Sequence, residues 1–139
     1  MWTLNGDQSV PIGGGYKLKA QMHFETLDQG QSRGSERFRV STSGYRYAVL
    51  DSDEAELIAA HWHPNGSSPY VDPHWHVGSV LLAPDGVFLE RAHIPSPRVS
   101  FEHMVRWTIE NLDEVTPAHG DWDERLRRTE EAFERHKTW

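Results

Sequence analysis

His61-Trp62-His63-Pro64 and, after a loop rich in Pro, Gly, Ser and Asn, Pro73-His74-Trp75-His76 are the stretch on which the reading of this chain turns. Side chains alternate along a strand, so residues two apart share a face. An H-x-H on a strand therefore puts both of its imidazoles on one side. If the loop folds back as a hairpin, four imidazoles converge on one patch, a dense local supply of metal ligands and acid–base groups.

Working outward, residues 55–63 read as a strand ending in the first H-x-H, and a strand from about 74 to 83 carries the second. Pro84-Asp85-Gly86 is a tight-turn signal, and residues 87–94 form the strand after it. Ile94-Pro95-Ser96-Pro97 ends the sheet. Upstream, residues 16–25 alternate cleanly, with Tyr16, Leu18, Ala20, Met22 and Phe24 on one side and Lys17, Lys19, Gln21, His23 and Glu25 on the other. A Gly/Ser-rich loop follows from Asp28 to Ser35. Residues 36–42 are a strand with Phe38 and Val40 inward, Gly44 is a break or bulge, and 45–50 are a further strand. Residues 1–15, ending in Gly13-Gly14-Gly15, read as a loose lead-in.

Two helices complete the chain. In 101–112, Phe101, Met104, Val105, Thr108, Ile109 and Leu112 recur at three/four spacing, with Ser100 as N-cap. In 122–137, Asp121 and Glu124 have capping-box spacing, and Trp122, Leu126, Thr129 and Phe133 make a narrow stripe on an otherwise charged helix. Trp107 lies off the stripe of the first helix and reads as part of a second buried face. The expected fold is α+β: an antiparallel meander of about six strands (16–94) with a C-terminal helical pair (100–137) packed on it, in one domain spanning 1–139.

Register sharpens the histidine patch. A turn at 83–86 sets His76 opposite His93 and Gly78 opposite Arg91. Closing the 64–73 loop sets His63 opposite His74 and His61 opposite His76. One row then reads His61, His76, His93, with His63, His74 and Arg91 beside it, and the same face continues through Leu57, Ala59, Val80, Leu82, Val87 and Leu89. A slip of one residue would abolish the row.

Composition narrows the function classes. The chain has 139 residues, enough for an independent core, and no cysteine, so neither disulfides nor a thiolate zinc knot holds the fold. That composition favours a reducing, cytoplasmic setting. The N-terminal residues show no basic-then-apolar leader, and no run of about 18 apolar residues offers a membrane span. The net charge of −7, spread over residues 1–99 and 100–139 alike, argues against generic nucleic-acid binding, which depends on neutralising phosphates. A nucleic-acid enzyme of this charge needs a local cationic site.

Three chemistries suit the patch. The first is a metal centre with ligands drawn from His61, His63, His74, His76 and His93, zinc foremost, otherwise nickel, copper, manganese or iron. Three protein ligands with an open position make a catalytic site, and four a structural one. Asp72, Tyr70 and Glu90 are candidate outer partners. A cupin site wants Glu four residues after the second His, where Val80 stands, and the alternating three-histidine run of the histidine-triad hydrolases is absent. The second chemistry is metal-free cleavage of a phosphodiester, with His76 and His93 as acid and base and Arg91 stabilising the charged phosphorane. The third is structural, with the histidines packed against Trp62 and Trp75. His23, His103, His119 and His136 are isolated and read as surface residues.

Tyr45-Arg46-Tyr47 followed by the two histidine tracts resembles the small TumE-like proteins, toxins of bacterial toxin–antitoxin modules, which carry a His-Pro tract and then a Pro-His-rich tract in a short β-rich chain. The likeness covers about residues 44–80. Trp62 and Trp75 interrupt tracts that are more continuously histidine in that family, and the helical C-terminus has no counterpart in the likeness. The resemblance implies a bacterial cytosolic protein, an RNA-directed toxin neutralised by a cognate antitoxin. The functional expectation is a small hydrolase whose histidine cluster binds a divalent metal and acts on a phosphodiester, RNA first. The competing expectations are the metal-free ribonuclease and a nonenzymatic interaction protein.

Overall fold

A computed structural model describes residues 1–30, 37–66, 68–78 and 92–138. In chain order the strands are β1 (Trp2–Thr3), β2 (Val10–Gly13), β3 (Tyr16–Asp28), β4 (Phe38–Leu50), β5 (Glu56–Trp62), β6 (His74–Val77), β7 (His93–Pro95) and β8 (Lys137–Thr138). The helices are α1 (Phe101–Asn111) and α2 (Trp122–His136). The strands form one sheet in the order β1-β3-β4-β5-β6-β7, with β2 also on β3 and β8 also on β4. All described pairings are antiparallel except that of β8 with β4. The fold is thus the expected α+β meander with two C-terminal helices.

Alternation sorts the sheet into two faces. On one, Leu18, Ala20, Tyr45, Tyr47, Val49, Ala60 and Trp62 join Val99 and Met104 in the main core. The rings of Tyr45 and Tyr47 stack at 4.9 Å, and Phe101 of α1 meets Tyr47 edge-on. The Tyr45 hydroxyl accepts a hydrogen bond from the Val99 amide at 2.9 Å, which fixes the chain where it enters α1. Ser100 caps α1 as expected, its Oγ accepting from the His103 amide at 3.0 Å while donating to Glu130 of α2. Trp107 lies against Trp75 with ring centroids 5.9 Å apart, so it does serve a second packed face of α1. The opposite face of the sheet carries a smaller apolar cluster, Ala48, Leu50 and Ala59, and the histidines.

Several expectations need correction. Residues 1–15 are no loose lead-in: Trp2 pairs with Met22, Val10 with Leu18, and Trp2 packs edge-on against Phe101. The apolar side chains of Trp2, Leu4 and Ile12 outweigh the local glycine signal by packing on the core. The strands expected at 36–42 and 45–50 are one strand, β4, with a register shift against β3 beside Gly44. A Cβ on Gly44 would stand 2.9 Å from the Trp62 carbonyl oxygen, so the close approach of β5 excludes a side chain there. Phe38 does not face inward; it is half-exposed beneath the Arg37 guanidinium. Asp121 does not close a capping box. Its backbone is not extended, and its carboxylate takes the Arg125 Nε–H at 2.9 Å instead. The turn expected at 84–86, most of the strands drawn at 74–83 and 87–94, and with them Val80, Leu82, Val87, Leu89, Glu90 and Arg91, lie outside the described residues.

Candidate metal centre

The ladder between β5 and β6 pairs His61 with His74 and Ala59 with His76. This differs by two residues from the expected pairing of His63 with His74. The cause is local. His63 leaves the ladder to start a turn through Pro64 and Asn65, closed by the Gly66 amide donating to the His63 carbonyl at 3.0 Å. Proline second and glycine fourth suit such a turn. A shift of two preserves parity, so the histidines stay on one face although the row is redrawn. His76 pairs with His93, as the register predicts.

All five imidazoles meet. Ring centroids lie 4.3 Å apart for His61–His76 and for His76–His93, 4.8 Å for His74–His93, 5.4 Å for His63–His74 and 5.7 Å for His61–His74. The tightest group is His61, His74 and His76, each offering a ligand atom within 4.8 Å of the others'. Zinc–nitrogen bonds near 2.0–2.1 Å in a tetrahedron require nitrogens roughly 3.4 Å apart. The three rings would have to turn inward to reach that spacing. His63 and His93 flank the triad. Trp62 and Trp75, which the structural reading would pack among the histidines, point instead to the helix-covered face.

The surroundings prepare the nitrogens. The Nδ1–H of His74 donates to the Asp72 carbonyl at 2.7 Å, so Nε2 carries the lone pair. Asp72 contributes as backbone, and its position before Pro73 favours the extended conformation that directs its carbonyl. His74 is 3% exposed, and its Nε2 has no hydrogen-bond partner among the described residues. The same holds for Nε2 of His76, whose Nδ1 lies 3.8 Å from a Glu56 carboxylate oxygen. Buried polar atoms are ordinarily paired, so two unpartnered nitrogens on neighbouring rings stand out as unused ligating or hydrogen-bonding capacity. Nδ1 of His63 is likewise buried and unpartnered among the described residues.

Burial, then the neighbouring imidazoles and Arg46, push His61 down to about 3. Burial and the His93 and His74 imidazoles push His76 down to about 4. Burial and the rings of His74 and His63 lower His93 as well. Both His61 and His76 are therefore neutral at pH 7, the form that binds metal. Tyr70 stacks on His93 at 3.8 Å, and a cleft of about 190 Å³ opens there between Tyr70, His74 and His93.

Two members of the site carry no sequence signal of their own. Arg46 on β4 donates from Nε to His61 Nε2 at 3.2 Å and from Nη2 to Glu56 at 2.6 Å. Glu56 also stands 4.0 Å from His61 Nε2. Both are reached only through the ladder that pairs Arg46 with His61. The expected Arg91 and Glu90 lie outside the described residues, so the cation and the carboxylate described beside the triad are Arg46 and Glu56. Of the isolated histidines, His23, His103 and His119 are exposed and His136 is half-buried.

No protein-family model, no curated protein and no solved structure matches this chain. Among the described residues, no helix is long and apolar enough to cross a membrane.

Proposed function

We propose that His61, His74 and His76 hold a divalent transition metal, zinc foremost, and that the protein is a metal-dependent hydrolase of a phosphodiester, with RNA the first substrate to try. The observation that carries this reading is the pair of buried, unpartnered Nε2 atoms on His74 and His76, each on a ring whose other nitrogen faces an oxygen. Three imidazoles leave a bound zinc an open position, where it would lower the pKa of a water toward 7. The chain's own residues supply the rest. The Asp72 carbonyl holds the His74 tautomer, Glu56 faces His76 Nδ1 at 3.8 Å, and neutral His93, at the cleft edge beside Tyr70, would take a proton from the attacking water and return it to the leaving oxygen as the phosphorus–oxygen bond breaks. Metal-free acid–base cleavage is less well supported, because it needs one of its two imidazoles protonated at the start, and burial lowers both His76 and His93.

The decisive experiment is elemental analysis with native mass spectrometry on tag-free protein, before and after chelation. About one metal per chain is expected, lost in a His74→Ala/His76→Ala double variant whose melting curve is preserved. Cleavage of RNA or a generic phosphodiester should vanish with chelator and return with zinc. Failure to take up zinc, nickel, manganese or iron(II) would overturn the reading. A metal-loaded protein with no phosphodiesterase activity would leave the site and remove the hydrolase. A cognate antitoxin, which the TumE-like resemblance implies, is sought by co-purification from the native host.

A further inference from the structure

Arg46 stands where a metal ligand should be open. A neutral imidazole has one lone pair. The Arg46 Nε–H, 3.2 Å from His61 Nε2, occupies it. A metal bound through Nε2 displaces this donor directly. A metal bound through Nδ1 forces the proton onto Nε2, which then opposes the Arg46 N–H, donor against donor. By either nitrogen, His61 joins the triad only when Arg46 lets go, and the charges of guanidinium and dication repel as well.

The released guanidinium has somewhere to go. Arg46 also borders a cleft of about 500 Å³ whose lining includes Gln21, His23, His63 and Asn65 and no carboxylate, in a chain of net charge −7. Gln21 pairs directly with Arg46, and His23 with Gly44, so both stand on the histidine face. The Arg46 side chain is 45% exposed, and its Nη2 is paired with Glu56 at 2.6 Å, a contact that must also part for the guanidinium to turn into the cleft. A planar fork of N–H donors beside further polar donors is suited to a tetrahedral oxyanion.

We propose that Arg46 is a latch shared by the histidine triad and an oxyanion site in this cleft, so that metal on the triad and a phosphate- or sulfate-like group on Arg46 favour each other. The inference rests on the metal reading above and adds to it the substrate feature recognised, a phosphoryl-type oxyanion. Coupling between two sites is reciprocal, so either ligand reports it.

The test is a zinc titration of the wild type and of Arg46→Met, with sodium sulfate or with sodium chloride at matched ionic strength. Sulfate is expected to tighten zinc binding to the wild type by about fivefold or more, the lower end of ordinary coupling. Arg46→Met is expected to bind zinc about tenfold more tightly than wild type without sulfate, the effect of removing one charge-assisted hydrogen bond, and to ignore sulfate. Zinc binding that is indifferent to sulfate in the wild type overturns the latch and leaves the metal centre standing. No zinc on either protein overturns both. If Arg46→Met does not fold, the sulfate response of the wild type decides alone.

Discussion

His74 is the most constrained of the imidazoles, and the consequences of altering it separate site from scaffold. Its Nδ1 is tied to the Asp72 carbonyl and its ring is buried, while its Nε2 has no partner among the described residues. Replacing it with Gln keeps a polar side chain but no imidazole, so metal affinity should fall by about two orders of magnitude or more while the melting temperature of chelated protein moves by only a few degrees. Unfolding of the chelated variant would show instead that the ring is chiefly structural. His61 and His76 make a complementary statement about pH. Their folded values, about 3 and about 4, lie below the unfolded value near 6.5. Between these limits the unfolded chain binds more protons, so stability rises with pH. The contribution is complete above about pH 6.5 and is lost as pH falls through 4 toward 3. Thermal melts of the chelated protein from pH 7 to pH 4 should show a steep decline, flattened in a His61→Leu/His76→Leu double variant. A flat profile in the wild type would mean the rings are not buried as neutral groups.

At the scale of elements, the site depends on how closely β5 and the chain after β6 approach. The Gly78 amide donates to the Leu57 carbonyl at 2.7 Å, and a Cβ on Gly78 would fall 1.7 Å from the Glu56 carbonyl oxygen. Gly78→Ala must push this backbone aside. It is expected to cost about 1–3 kcal/mol, read from denaturant midpoints, and to weaken metal binding because Glu56 moves with its strand. A neutral result would show that the two segments separate more easily than this geometry implies. The same elements explain what sequence could and could not reveal. Alternation in Tyr16 to Phe24 is enough to place β3, and Ser100 with the three/four spacing of Phe101, Met104 and Thr108 is enough to place α1, because both signals are local. The face shared by the histidines is also legible, since parity survives a shift of two. The shift itself is not, because it follows from His63 giving its carbonyl to a turn. Arg46 and Glu56 stay hidden for a related reason: each joins the site only through pairing across strands.

For the molecule as a whole, stability lies in the layer between sheet and helices, away from the histidines. Met104, fully buried, is a centre of that layer with Tyr47 and Val49. Met104→Ala should cost about 2–5 kcal/mol, a fall in melting temperature on the order of 10 °C, while leaving the zinc stoichiometry of the folded fraction unchanged. A larger effect on metal than on melting would mean that the two faces are not independent. The segment Trp2 to Gly13 belongs to this same layer, against the impression its glycines give. Trp2 draws its binding partners from β3 and α1, contacts too distant in sequence for any local pattern to announce.

The alternation of His with Trp in β5 and β6 has an optical consequence. Trp62 sits between His61 and His63 in the chain and Trp75 between His74 and His76, each indole on the far side of the sheet from its neighbouring imidazoles. Two intrinsic fluorophores are thus held one residue from the proposed ligands yet outside their coordination sphere. A paramagnetic ion on the triad would quench them through the thickness of a single sheet, so the emission of the unlabelled protein becomes a binding isotherm. Copper(II) or nickel(II), but not zinc, should dim it at one equivalent.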